Sequence, residues 1–127
     1  MTLHTLSSGS QGNCLLLSDG DTHILVDAGI STRRIKAGLA QLELSMDELD
    51  GILITHEHTD HISGLATLIK HHAIPLYASP GTARQLAYRI AGIESLLRPV
   101  EPGTVFSVGD CRVTAVSYTH LRAHETL

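Results

Sequence analysis

The chain has 127 residues, enough for one domain with a moderate core, and 43% of them are hydrophobic. Its net charge of −4 excludes the overall basic character of a non-specific nucleic-acid binder, and one Phe with no Trp predicts an aliphatic core. The sequence shows no secretory signal and no membrane-spanning run, and Cys14 and Cys111 are isolated. We therefore expect a cytoplasmic protein with reduced thiols.

The first third of the chain predicts an antiparallel start. Short apolar strands are expected at residues 3–6, 14–18 and 23–27. The turn-rich segment SSGSQGN separates the first two, and an Asp-Gly hairpin turn joins the last two.

Helices and strands alternate after this start. The predicted helices are one capped by Ser31 or Thr32, a single turn capped by Ser45, one opening at Ser63, and one capped by Ser79 with Pro80 in its first turn. The predicted strands are a buried strand at 51–55, a strand at 74–79, and two strands within 104–116 joined at Gly109-Asp110. This order predicts a mixed sheet in an α/β protein.

The strand at 51–55 leads into a cluster of histidines and acids. Alternate residues of an extended segment point the same way, so His56 and His58 can present imidazoles to one point. Asp60 and His61 follow where the chain bends towards the next helix, and can address a second, adjacent point. Imidazole and carboxylate ligands suit Zn²⁺, Mn²⁺ or Fe²⁺. A polar loop that merely contains histidines is the alternative, and the regular alternation favours metal binding.

The motif THEHTDH resembles the His-x-His-x-Asp-His signature of the metallo-β-lactamase fold superfamily, and LVDAG resembles that family's strand ending in Asp. The resemblance implies an αββα sandwich, of which this chain would be the N-terminal half. The opening SSGSQGNC resembles the YycJ/WalJ branch, whose members are linked to nuclease or phosphodiesterase activity.

Carried over residue by residue, the resemblance implies a site with two divalent metals, zinc first and manganese or iron as alternatives. His56 and His58 would bind the first metal, and Asp60 and His61 the second. Asp60 would also be catalytic, holding and orienting a metal-bound hydroxide. Asp27 would orient a ligand histidine from outside the ligand set.

Two further features allow alternative interpretations. Ser8, Ser10 and Asn13 could touch substrate beside the metals, but the loop lacks the Lys of a P-loop and no helix follows it, so a tight turn is favoured. The basic cluster of Arg33 to Lys36 is either a solvated helix face or a contact for a phosphodiester backbone.

We expect the intact parent to be a metal-dependent hydrolase, a phosphodiesterase or exonuclease with DNA as a candidate substrate. The alternatives are a glyoxalase II-like thioester hydrolase and a non-catalytic or redox di-metal module. The opening motif favours the nuclease branch. Redox proteins of this superfamily that hold two irons tend to use Glu at the position of His58. The histidine at this position therefore weighs against the redox module.

The end of the chain predicts a domain boundary. Residues 1–115 would be the partial metallo-β-lactamase domain, and residues 116–127 a non-native tail. The segment VSYTHLRAHET is a one-frame translation of a widely used transposase sequencing adapter, so we do not interpret His120 as a metal ligand.

The resemblance implies three more metal ligands from the second half of the domain. We therefore expect this chain alone to be inactive, to bind metal weakly and to be poorly soluble or molten.

Overall fold

The computed structural model describes residues 1–9, 12–56 and 58–114, with the side chains of Thr59 and Asp60 outside the described part. The strands are β1 (Thr2–Ser7), β2 (Cys14–Asp19), β3 (Thr22–Val26), β4 (Gly51–Leu53), β5 (Leu76–Ala78), β6 (Leu97–Pro99), β7 (Val105–Val108) and β8 (Cys111–Thr114). The helices are α1 (Thr32–Gln41), α2 (Thr59–Ile62), α3 (Leu65–His71) and α4 (Pro80–Arg89), with 3₁₀ turns at Met46–Glu48 and Ile93–Leu96. In this part of the chain, no helix is long and apolar enough to cross a bilayer.

Strands β1 to β6 form one sheet in sequence order. The pairs β1–β2 and β2–β3 are antiparallel, and the pairs from β3 to β6 are parallel. Strands β7 and β8 form a separate antiparallel hairpin. The predicted mixed sheet of an α/β protein is therefore confirmed. Parallel strands align their carboxyl ends, so the loops after β3 and β4 meet at one edge of the sheet.

The two faces of the sheet are covered differently. Leu16, Leu25, Ile52 and Leu76 lie side by side across β2 to β5, and all are fully buried in one cluster with apolar residues of the helices. On the opposite face, the β7–β8 hairpin buries a much smaller cluster centred on Ile24. The main core is thus the layer between the sheet and the helices.

The helix starts follow the predicted caps except at one place. Ser31 accepts a hydrogen bond from the Arg34 amide (3.2 Å), and Ser79 caps α4. The prediction that Ser63 opens a helix is wrong, because α3 begins at Leu65 after a separate one-turn helix. The Ser63 hydroxyl instead donates to the Gly29 carbonyl at 2.5 Å, so it links two loops.

The sequence did not predict strand β6. Its residues, Leu97–Pro99, include an arginine and a proline, which are unusual in a central strand. Proline is tolerated on an edge strand because one side of that strand makes no ladder hydrogen bonds. The edge position of β6 explains both its composition and why it was missed.

Candidate metal centre

Three imidazoles gather at the carboxyl end of β4. The ring centroids of His56 and His61 are 4.9 Å apart, and those of His56 and His58 are 6.0 Å apart. His61 is brought back towards the strand by the turn of α2, in which its amide donates to the His58 carbonyl at 2.8 Å. The predicted extended segment and bend are therefore found as a short loop followed by a helical turn.

A buried carboxylate lies beneath these rings. Asp27 is 5% exposed and has a φ of 63°, in the left-handed region that Asp and Asn tolerate better than most residues. One of its oxygens accepts from the Thr55 amide at 2.8 Å. The other accepts from the Thr55 hydroxyl and from His61 Nδ1, both at 2.7 Å. Asp27 thus touches one predicted ligand histidine directly.

Thr55 extends this contact to a second histidine. Its hydroxyl oxygen lies 3.0 Å from His56 Nδ1 while its proton faces Asp27. Thr55 was not among the residues predicted from the sequence. The signal that could have found it is its position, directly before the His-x-His pair and at the end of the predicted buried strand.

Backbone hydrogen bonds hold the loop after β3 against the loop after α2. The Ala28 amide donates to the His61 carbonyl at 2.7 Å, and the Gly64 amide donates to the Ala28 carbonyl at 2.8 Å. A Cβ on Gly64 would collide with the carbonyl oxygen of Ile30, so only glycine allows this approach. The position of His61 over Asp27 is therefore fixed by the main chain as well as by side chains.

The donor set suits a divalent transition metal. His56 and His61 both use Nδ1 for contacts within the protein, so Nε2 is the ring atom through which each could bind a metal. Two imidazoles sharing a zinc ion at about 2.0–2.1 Å have ring centroids about 5 Å apart. The centroids of His56 and His58, the pair predicted to share the first metal, are 6.0 Å apart, whereas His56 and His61, predicted to bind different metals, are 4.9 Å apart.

The described residues do not complete a site. Among side chains with described positions, no three His, Cys, Asp or Glu residues form a group able to hold one ion. The predicted ligand Asp60 has its side chain outside that set, and Glu57 lies outside the described residues altogether. The three histidines would hold a metal only together with further ligands.

A pocket of about 270 Å³ opens beside Asp27 and His61. Ser8 and Asn13, two of the residues predicted to touch substrate, line it, whereas Ser10 lies outside the described residues. Asn13 Oδ1 accepts from the Gly9 amide at 3.2 Å. Asn13 thus folds back on Gly9, and Ser8 and Asn13 share this pocket with His61.

A second, polar groove of about 480 Å³ lies on the helix side of the same loops. It is lined by Ser31, Thr32, Arg33, Ser63, Gly64 and Thr67, with no carboxylate among them. Ser63 follows His61 by two residues, so their Cα atoms are at most about 7.6 Å apart. The groove thus presents one guanidinium and several hydroxyls close to the histidines.

Cys14 lies on the buried side of β2, close to this region. Burial, and next the negative charge of Asp27, raise the pKa of its thiol to about 12, while Arg34 opposes that shift. The thiol is therefore neutral at physiological pH and behaves as a small apolar core residue.

Comparison with known proteins decides the family. The model of the metallo-β-lactamase superfamily matches residues 8–124. The chain belongs to this superfamily. The match extends into residues 116–127, which are interpreted as adapter-derived and lie outside the described residues. The proposed boundary at residue 115 stays a prediction.

Relatives within the superfamily agree with the branch suggested by the opening motif. The chain is 40% identical over 114 residues to the exodeoxyribonuclease YycJ of Bacillus anthracis, covering 88% of this chain and 41% of that protein. It is 35% identical over 118 residues to the exodeoxyribonuclease WalJ of Streptococcus pneumoniae, covering 91% of this chain and 44% of that protein. The chain spans less than half the length of these relatives.

A solved structure of the superfamily confirms the architecture. The chain matches the Rm3 metallo-β-lactamase with a TM-score of 0.73 and 27% identity, covering 90% of this chain and 48% of that one. The described sheet and helices thus correspond to about half of a metallo-β-lactamase fold.

Proposed function

We propose that the intact parent of this chain is a metal-dependent phosphodiesterase that acts as an exonuclease on DNA. The observation that carries the proposal is the group of His56, His58 and His61, with the Nδ1 atoms of two rings engaged by Asp27 and Thr55. Similarity to the exodeoxyribonucleases YycJ and WalJ supports nucleic acid as the substrate class.

The residues divide into three proposed roles. His56 and His58 would bind one metal, and His61 with Asp60 a second, with zinc as the first candidate and manganese or iron as alternatives. When bound, the metals polarise the phosphoryl oxygen and activate water. Asp60 would orient the attacking water, and Asp27 keeps the His61 ring in its orientation through the 2.7 Å contact.

The polar groove is the proposed contact for the strand beyond the scissile phosphate. Arg33 can form charge-assisted hydrogen bonds with a phosphate, and none of the described residues that line the groove carries a carboxylate to repel it. The short chain distance between Ser63 and His61 supports a contact close to the histidines. A phosphodiester strand could therefore occupy the groove while its end lies at the metal centre.

The decisive experiment is an assay of the parent protein with added Zn²⁺ or Mn²⁺. Bis-p-nitrophenyl phosphate, single-stranded DNA and a thioester are offered in parallel, because the thioester tests the glyoxalase II-like alternative. We expect DNA and the phosphodiester to be cleaved and Asp60→Ala to abolish cleavage. Metal content without any hydrolysis would support the non-catalytic module, and cleavage of the thioester alone would contradict the proposal.

Binding to DNA tests the groove separately from hydrolysis. With EDTA present, Arg33→Gln should weaken binding of a fluorescent single-stranded oligonucleotide and lower the salt slope by about 0.7, the value for one lost phosphate contact. Arg84→Gln, on exposed α4, is the matched control and should leave both unchanged. Equal losses in the two variants would assign the effect to net charge rather than to the groove.

A further inference from the structure

Thr55 touches groups that serve both predicted metals. Its hydroxyl lies between the Asp27 carboxylate and the His56 ring, at 2.7 and 3.0 Å, while Asp27 also contacts His61 at 2.7 Å. Asp27 is buried and Thr55 is half-buried, so these contacts are only partly open to exchange with water.

The direction of each hydrogen bond follows from proton counting. An ionised carboxylate only accepts, so the single hydroxyl proton of Thr55 is donated to Asp27. The Thr55 oxygen can then only accept from His56, which requires the proton of the neutral His56 ring to be on Nδ1. The same reasoning places the proton of His61 on Nδ1, because its partner there is the carboxylate.

We propose that Thr55 is a positioning residue that fixes the tautomer and orientation of His56, so that one buried carboxylate, Asp27, prepares a ligand for each of the two metals. His61 receives this influence directly, and His56 receives it through the Thr55 hydroxyl. Both neutral rings then carry their lone pair on Nε2. The inference rests on the proposed function only in taking metal ions as the groups that these histidines bind.

The backbone makes Thr55 well placed for this role. Its amide donates to Asp27 Oδ1 at 2.8 Å, so the same carboxylate fixes both the main chain and the side chain of the residue before His56. Serine retains the hydroxyl, whereas valine retains the branched shape and loses the hydrogen bond. The pair Thr55→Ser and Thr55→Val therefore separates hydrogen bonding from packing.

The test records ring tautomers of the ¹⁵N-labelled intact parent protein without metal, at about pH 8, from long-range ¹H–¹⁵N correlations. We expect wild-type His56 to be protonated at Nδ1, Thr55→Ser to keep this state and Thr55→Val to lose it. Thr104→Val, which removes an exposed hydroxyl that donates to the Glu101 carbonyl, is the control and should leave His56 unchanged. Wild-type His56 protonated at Nε2, or unchanged by Thr55→Val, would overturn the inference.

A cobalt titration of the same proteins gives a second readout that needs no activity. Thr55→Val should weaken Co²⁺ binding about 10–100-fold, as is typical for residues that orient metal ligands, and Thr55→Ser should restore it. If the tautomers behave as expected but the parent protein cleaves no phosphodiester, the proposed function fails and the role of Thr55 stands. If the parent cleaves DNA but Thr55→Val changes neither the His56 tautomer nor the Co²⁺ affinity, the role of Thr55 fails and the proposed function stands.

Discussion

At the scale of single residues, Asp27 concentrates the largest number of constraints. It is buried, adopts a positive φ and accepts hydrogen bonds from Thr55 and His61 through both oxygens. A positive φ in a residue other than glycine costs of the order of 1–3 kcal/mol and persists only where the surroundings impose it. The hydrogen bonds to its neighbours provide that support.

Replacing the carboxylate tests how much of the fold depends on it. Asp27→Asn keeps the backbone preference but presents an NH₂ group to at least one of the three donors, which leaves a buried donor without an acceptor. We expect the free energy of unfolding to fall by about 1–3 kcal/mol in denaturant titrations without metal. Asp21→Asn, on the exposed hairpin turn, should stay within about 0.5 kcal/mol of wild type; an equal loss in both variants would contradict this account.

The Cys14 thiol predicts a specific pH dependence. Its pKa is raised from 9.0 to about 12 by burial and then by Asp27, so the folded state disfavours the thiolate. The contribution to stability is complete below pH 9 and is lost as the pH rises towards 12. Between pH 9 and 10, wild type should lose about 1 kcal/mol more than Cys14→Ala in denaturant titrations. Identical pH profiles for the two proteins would show that the thiol does not contribute.

At the scale of elements, the sequence predicted most of the fold where local patterns are strong. Ser31, Ser79 and the Asp-Gly turn each carry a local signal, and the corresponding caps and hairpin are present. Strand β6 and helix α2 were missed because they are short and depend on contacts with distant segments. The candidate site followed the same rule, since the histidines are visible as a motif but the Thr55 network requires Asp27, 28 residues away.

The crossing of two loops offers a test at this scale. Gly64→Ala places a Cβ against the Ile30 carbonyl, so the loop carrying His61 must move away from Asp27. We expect the free energy of unfolding to fall by about 1–3 kcal/mol and metal binding to weaken. The control is Gly81→Ala, whose new Cβ has no neighbour closer than 3.9 Å and which should be neutral or stabilising because alanine favours helix.

At the scale of the whole molecule, the two sheet faces differ in how well they are covered. In the described part of the chain, the helices cover one face with the large buried cluster, whereas the other face carries the β7–β8 hairpin and its small cluster. Leu3 and Val105, on strands, remain 61% and 51% exposed. The chain matches 48% of the length of the Rm3 enzyme. Uncovered strand faces and edges favour association between molecules.

The number of ligands leads to a prediction for metal binding by this chain. In the proposed assignment, the histidines and Asp60 would give each of two ions two protein ligands, whereas zinc sites in proteins normally have three or four. We therefore expect the 127-residue chain to hold less than one tightly bound zinc ion per molecule after dialysis, as measured by elemental analysis against protein concentration. A monodisperse chain that melts cooperatively and retains two zinc ions would contradict this expectation, because the missing ligands would then have to come from residues 115–127 or from a second copy.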